Sequence, residues 1–560
     1  MKKLLLILFC MSQIGTSLVF ANPEINPALI TTTQKYLTNN KDLCDGYPRI
    51  QVQTIDGLCV GLVTDKNQGL KMPRYAVQDK NNVIYVSDMG GWAYGRGTIW
   101  AIEETIDSNG LKQTRLTNLF PEKSLIMPNG LLVDPQGRIY IGTPVGIYRF
   151  KPTKNNLNQW VLNSDLELIE DQFKKSIFRS SEYISAKTYN QTADQGLNNK
   201  HPLVQLAANR DFTEIYFNVS APSDRCTNGH KSIHPITKLC IQSESEIVNA
   251  GIWKMTLDSS GNKISTEAFA RGLRNSMALV VHPESGFLLQ GENSLDLPDE
   301  DQPYEEINFV KKDKHYGWPY CYSDGKVLKD FSSVVKPEDC KTKYSPPEVF
   351  MPAHTAPLGM VYYQHGKLIA LQNKMLVSWH GYRPQGQKVV MYDVDQNGLP
   401  TNQQPAHLIF NWTALQGVRS KGAPVGLTVL NDGSLLIMDD KNNSIIRLAE
   451  GKTHKTDQQA KVNFIATENQ KKSYSRLYPR LQKNCMTCHN DLYSGQNSDD
   501  SLKKLIEQGL INPPNPETSR LFQRLKTQTM PPKPNTMTPE DYNQMYKNID
   551  ALSDFLKNKK

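Results

Sequence analysis

Asn81-Asn82-Val83-Ile84-Tyr85-Val86 is a polar turn that runs straight into a β-rich strand, and the chain repeats it. The pattern returns as Gln136-Gly137-Arg138-Ile139-Tyr140-Ile141 and Asp211-Phe212-Thr213-Glu214-Ile215-Tyr216. It returns again as Ser285-Gly286-Phe287-Leu288-Leu289, Asn373-Lys374-Met375-Leu376-Val377 and Asp432-Gly433-Ser434-Leu435-Leu436. Turn residues followed by β-branched and aromatic residues mark a strand entered from a tight turn. Aligned positions lie 55 to 88 residues apart, room for about four short strands per copy. No single copy can hide both apolar faces of its strands, whereas six copies around an axis hide them against one another. The reading is a mainly β chain with a six-bladed β-propeller over residues 22–450. An array of β-sandwiches is disfavoured because no Pro-rich linkers separate the copies. In a propeller the residues ending each repeated strand converge at one end of the central channel. They are Ser87-Asp88, Gly142-Thr143, Asn218-Val219, Gln290-Gly291-Glu292, Ser378-Trp379-His380 and Asp439-Asp440.

The chain starts Met1-Lys2-Lys3, continues with an apolar run from Leu4 to Phe9, and reaches Val19-Phe20-Ala21 before Asn22-Pro23. That order predicts a secretory signal over residues 1–21. Ser12, Gln13, Gly15 and Thr16 interrupt the run, which argues against a membrane anchor, and no later stretch reads as a transmembrane segment. Setting aside Cys10, Cys485 and Cys488, six cysteines remain: Cys44, Cys59, Cys226, Cys240, Cys321 and Cys340. An even set in an exported chain implies disulfides, with pairing of neighbours the simplest of fifteen connectivities. The net charge of +8 is spread over 64 basic and 56 acidic residues. No basic stripe with interleaved aromatics stands out, so nucleic acid is not an expected partner.

After the repeats the composition changes. Residues 451–475 are polar and read as a linker. Residues 476–560 carry apolar residues at helical intervals, with Tyr542, Met545, Ile549, Leu552 and Leu556 along one side of a final helix. Cys485-Met486-Thr487-Cys488-His489 is a c-type haem attachment sequence. Two thiols three residues apart meet the haem vinyl groups, and His489 supplies an axial nitrogen. Met530-Pro531-Pro532, 41 residues beyond His489, resembles the turn that carries the axial methionine in the monohaem cytochrome c family. The resemblance implies a small all-α cytochrome c domain with Met530 opposite His489, a pairing that raises the potential. Such a tail passes electrons, so the propeller becomes the place to look for their source.

Phe269-Ala270-Arg271-Gly272-Leu273-Arg274-Asn275-Ser276-Met277 resembles the Gly-x-Arg-Asn stretch of quinoprotein sugar dehydrogenases. Gln290-Gly291-Glu292-Asn293-Ser294, Glu305-Glu306-Ile307-Asn308 and His315-Tyr316-Gly317-Trp318-Pro319 follow in the order of the glucose/sorbosone dehydrogenase family. His354-Thr355-Ala356-Pro357-Leu358-Gly359 and His380-Gly381-Tyr382-Arg383 are similar too, and the likeness covers about residues 48 to 448. It implies pyrroloquinoline quinone (PQQ), Ca²⁺, a sugar or polyol substrate and a downstream periplasmic electron acceptor. Arg274 and Asn275 then contact the cofactor. Arg74 stacks on it, pairs one of its carboxylates, or simply pairs a surface acid. His354 is the expected general base, and His380 and Arg383 bind cofactor carboxylate or substrate. Backbone carbonyls near Ser294 and Leu295, with Glu292 close by, are the expected Ca²⁺ ligands. Asp296, Asp299, Glu300 and Asp301 form an acidic loop that reads as solvated, or as a second Ca²⁺ site. One departure stands out: Leu125 to Leu131 lacks the histidine that takes the substrate proton in soluble glucose dehydrogenases. In that respect the chain is closer to sorbosone-like bacterial proteins and fungal pyranose dehydrogenases. The competing expectations are a Ca²⁺-dependent lactonase-like hydrolase and a non-catalytic glycan-binding propeller, each with a cytochrome tail.

Overall fold

The six turn-and-strand repeats are the second strands of six antiparallel sheets. The computed structural model describes Tyr36 and residues 38–92, 95–121, 124–162, 166–175, 199–226, 238–364, 366–383, 385–412, 422–451 and 474–481, with Ser501, Leu502 and Leu505. The expected signal segment and the haem-attachment residues Cys485, Cys488, His489 and Met530 lie outside the described residues. Residues 474–481 are helical, so helix starts just before the expected end of the linker.

The first blade consists of Pro73–Gln78, Ile84–Asp88, Thr98–Ile106 and Lys112–Asn118. The second has Leu131–Val133, Ile139–Thr143, Gly146–Phe150 and Glu167–Glu170. Leu206–Ala208, Glu214–Val219, Gly251–Leu257 and Lys263–Arg271 form the third, and Ala278–Val281, Leu288–Glu292, Glu305–Val310 and Val349–Met351 the fourth. The fifth is Pro357–Tyr363, Lys374–Trp379, Lys388–Asp393 and Ala406–Phe410. The sixth combines Pro424–Val429, Leu435–Asp439 and Ser444–Glu450 with Leu58–Thr64 from the other end of the chain. The first strands of successive blades touch one another in a closed ring, the last against the first.

Side-chain alternation explains the packing. Successive residues of a strand point to opposite faces. Ile84 and Val86 therefore enter a core shared with Leu436, Met438 and Ile445 of the sixth blade. Val83 and Tyr85 enter a separate core with Leu131, Ile139 and Ile141 of the second. Each blade is thus apolar on both faces, and each core belongs to two blades.

Disulfides join Cys44 to Cys59, Cys226 to Cys240 and Cys321 to Cys340, as neighbour pairing anticipates. A charge cluster around one buried arginine pins the closure of the ring. Arg447, on the last strand, pairs Asp45 at 2.9 Å, Glu104 at 2.7 Å, and Asp432. Those partners come from the N-terminal hairpin, the first blade and the sixth blade. Ser444–Glu450 runs antiparallel to Leu435–Asp439, so Glu450 and Gly451 sit at the end of the propeller opposite Asp439 and Asp440. Among the described residues, no helix is long and apolar enough to cross a membrane.

Candidate functional site

Pro73 opens the first blade, and Arg74 follows it at the channel end where the repeated strands finish. The Arg74 guanidinium is buried. Its Nη1 lies 2.5 Å from Asp440 Oδ2, and its Nε donates to Asn129 Oδ1 at 3.1 Å. His380 Nε2 is 2.9 Å from the other Asp440 oxygen. Burial alone raises the Asp440 carboxyl, but the positive charges of His380 and Arg74 outweigh it and hold the group well below the usual carboxylate range. Arg74 pairs an acid, as one of its expected readings has it, and that acid is buried rather than superficial. The next residue, Tyr75, reaches across the axis, its hydroxyl 3.0 Å from the Met277 carbonyl oxygen and also against that of Leu358. It makes a floor beneath Arg74.

A second cationic cluster forms where the third blade passes to the fourth. Gly272 takes a left-handed turn (φ 72°) against the His315 ring, which brings Leu273 and Arg274 back toward the axis. Arg274 Nε donates to Asp224 Oδ1 at 2.9 Å, Nη1 to the Asn293 carbonyl at 2.8 Å and Nη2 to Asp296 Oδ2 at 3.1 Å. Glu292 Oε1 accepts the backbone N–H groups of Arg274 (2.6 Å) and Asn275 (3.0 Å), so the end of one repeated strand sets the position of both residues. Asn293 Nδ2 donates to the Pro357 carbonyl at 2.8 Å and ties this cluster to the fifth blade.

Behind Arg274 lie three buried carboxylates. Glu292 faces Glu306 across the strand pair, and Glu305 accepts N–H groups from Ser294 (2.5 Å) and Ala356 (3.3 Å). Burial pushes Glu292 up to about 7 and is the main cause that pushes Glu305 and Glu306 to about 8, where repulsion from Glu292 adds to it. A carboxyl whose folded pKa is raised stabilises the fold below its unfolded pKa and loses that contribution as pH rises through the folded value. Glu306→Gln, neutral at every pH, is expected to melt above the parent by a margin that grows between about pH 5 and pH 9. Differential scanning calorimetry across that range checks it; a constant margin refutes it.

His354 and Ala356 adopt left-handed backbone (φ 63° and 48°), held by Gly381 N–H on the Thr355 carbonyl (2.8 Å) and His380 N–H on the Ala356 carbonyl (3.0 Å). A Cβ at Gly381 would overlap the His354 carbonyl oxygen, so the two histidine loops approach each other only with glycine there. His354 Nε2 donates to the Asp299 carbonyl at 2.6 Å, and Arg383 Nη1 pairs Glu300 at 3.0 Å. The acidic loop, expected to be merely solvated, therefore reaches three predicted site residues: Asp296 on Arg274, Asp299 on His354 and Glu300 on Arg383. Its side chains stay substantially exposed, 78% for Asp296 and 51% for Glu300. Ser294 Oγ donates to the Tyr304 carbonyl at 2.7 Å, and Leu295 packs into an apolar cluster with Trp318 and Tyr320. Among the described residues no group of three or more His, Cys, Asp or Glu side chains is placed to hold a metal ion.

With that geometry in view, the comparisons speak to the fold. A family model described as TrAA12-like matches residues 254–451. The chain resembles the *Trichoderma reesei* carbohydrate-active enzyme of family AA12 in its iodide structure, with 19% identity over 73% of this chain and 100% of that one (TM-score 0.53). It also resembles the PQQ domain of pyranose dehydrogenase from *Coprinopsis cinerea*, with 19% identity over 72% of this chain and 99% of that one (TM-score 0.51). The architecture is a six-bladed propeller of this kind. An uncharacterised protein of *Borreliella burgdorferi* is 32% identical over 189 residues, 32% of this chain and 48% of the relative, so the chain spans about half the length of that curated relative.

Sequence reasoning missed Asp224, which holds Arg274, and His201 beside it. Both lie in loops outside the repeated strands, where no periodicity draws attention to them.

Proposed function

We propose that this chain is a periplasmic quinohaemoprotein that oxidises a sugar or polyol and delivers the electrons to a c-type haem on its own C-terminal segment. The observation that carries the reading is the pair of buried guanidinium groups, Arg74 and Arg274, at one floored end of the channel. Two buried cations with His380 and Arg383 nearby suit a planar tricarboxylate such as PQQ. Thr355 Oγ1 and Gln205 Oε1, buried at the same end, have no hydrogen-bond partner and remain available to a polar ligand. When bound, PQQ supplies hydride acceptance, chemistry that amino-acid side chains lack.

Arg274 and Arg74 would hold the cofactor carboxylates, and Asn275 would hydrogen-bond a quinone oxygen. Ca²⁺ would sit at the carbonyls near Ser294 and Leu295. His354 donates Nε2–H to Asp299, which leaves Nδ1 as the lone pair that takes the substrate hydroxyl proton. Cys485 and Cys488 would carry the haem, and His489 and Met530 would supply ligands to its iron. The disulfides suit an oxidising compartment.

The test is to load purified protein with PQQ and Ca²⁺, add a panel of aldoses and polyols, and follow the haem spectrum. Substrate-driven haem reduction supports the reading; haem that stays oxidised with every substrate removes it. His354→Ala is expected to lower kcat by about a hundredfold or more while PQQ and haem content stay unchanged. Unchanged turnover takes His354 out of the role.

A further inference from the structure

His201 stands next to Arg274 without contributing to anything described so far. Its backbone N–H donates to Asn199 Oδ1 at 2.9 Å, and its Nδ1 lies 2.5 Å from the Ala221 carbonyl oxygen. A carbonyl only accepts, so Nδ1 carries the proton and the neutral ring keeps its lone pair on Nε2. Ala221 N–H in turn donates to the Arg274 carbonyl at 2.7 Å, so one residue couples the imidazole to the arginine backbone. The same short segment reaches the other cationic cluster. The Val204 carbonyl accepts from Gly130 N–H (2.9 Å) and Asn129 Nδ2 (3.2 Å), and Asn129 accepts from Arg74. Residues 201–204 thus bridge the surroundings of Arg274 and Arg74.

We propose that His201 is a further ligand-binding residue of this site: a carboxylate arriving at Arg274 is also bound by His201, which takes up a proton on Nε2 and donates it to that carboxylate. This rests on the quinone reading for the identity of the carboxylate. The charges around the ring are Arg274 from the approach to the fourth blade, Asp224 from the third-blade loop and Lys200 beside it. Arg225 pairs Asp224 at 3.4 Å. Burial first, and the Arg274 charge second, push His201 down to about 3, so the ring is neutral before a ligand arrives. An added carboxylate opposes the Arg274 field and stabilises the imidazolium. Asp296, the exposed acid on Arg274, is the group such a ligand displaces most readily.

The balance is one proton taken from solvent for each ligand bound, with no covalent or redox step. Titration calorimetry of the full-length protein with PQQ, in buffers of different ionisation enthalpy at about pH 6.5, reads that proton directly. Parent protein is expected to take up close to one proton. His201→Gln is expected to lose that uptake and to bind at least about tenfold more weakly, as fits one lost charge-assisted hydrogen bond. Its affinity should approach the parent's toward pH 8.5. PQQ bound by parent and variant with the same affinity and the same proton count overturns the role of His201 alone. Failure of the parent to bind PQQ removes the quinone reading and this inference together. Circular dichroism of the variant separates misfolding from the specific loss, and His201→Asn gives a second neutral side chain to compare.

Discussion

Arg274→Leu is expected to abolish PQQ binding and to destabilise the propeller by about 3–5 kcal/mol. The guanidinium is 3% exposed and serves Asp224, Asp296 and the Asn293 carbonyl at once. Leucine fills much of the space but leaves Asp224 without its buried counter-ion. It also removes the charge that most lowers the nearby carboxyls Glu292 and Glu305, apart from backbone hydrogen bonds. Removing one partner of a buried pair costs far more than the pair's net contribution, because the other charge stays buried. Arg274→Lys keeps the charge but not the planar fork, so it should recover much of the stability and little of the ligand affinity. Thermal unfolding and a PQQ titration on the same samples check both halves. A leucine variant that melts with the parent and binds PQQ equally well contradicts the assignment.

Arg447→Met should lose about 1.5–3 kcal/mol of stability, less than the arginine of the site because its acids are partly solvated, and leave PQQ affinity unchanged in whatever fraction folds. Arg447 is 2% exposed and answers three carboxylates from three separate parts of the chain. Tyr47 packs beside it, its hydroxyl donating to Glu104. Methionine restores volume, so the loss reports the missing ion pairs rather than a cavity; Asp45 keeps Lys112 at 2.8 Å, Asp432 keeps Lys367 at 3.8 Å, and Glu104 keeps the Tyr47 hydroxyl. Denaturant unfolding measures it. A midpoint within experimental scatter of the parent's contradicts the role of Arg447 in closing the ring. The contrast between the two variants separates the residue proposed to hold ligand from one that holds the ring.

The blades were legible because their determinants are local. A turn such as Asn81-Asn82 followed by Val83-Ile84-Tyr85-Val86 specifies a strand apolar on both faces, and six copies leave few architectures. The convergence of Asp88, Glu292, His380 and Asp440 at one end follows from that count. The completion of the sixth blade by Leu58–Thr64 was not legible, because pairing between residues nearly four hundred positions apart leaves no local trace. The acidic loop was half legible for the same reason: Asp296 and Glu300 are exposed as they read, but their pairs with Arg274 and Arg383, and the Asp299 carbonyl on His354, appear only in the tertiary structure. His354 and Arg274 were found through resemblance to a family. His201 and Asp224, in unpatterned loops, required coordinates.

The place where the chain leaves the last blade sets a problem of reach. Gly451 departs from the face turned away from the arginines. Any redox group on the following segment must therefore travel round the outside of the propeller or exchange electrons through the far face. The 22 residues from 452 to 473 can extend to about 75 Å, several times the length of a blade strand. That reach would serve either route, so chain length alone does not dictate which face the proposed carrier would visit.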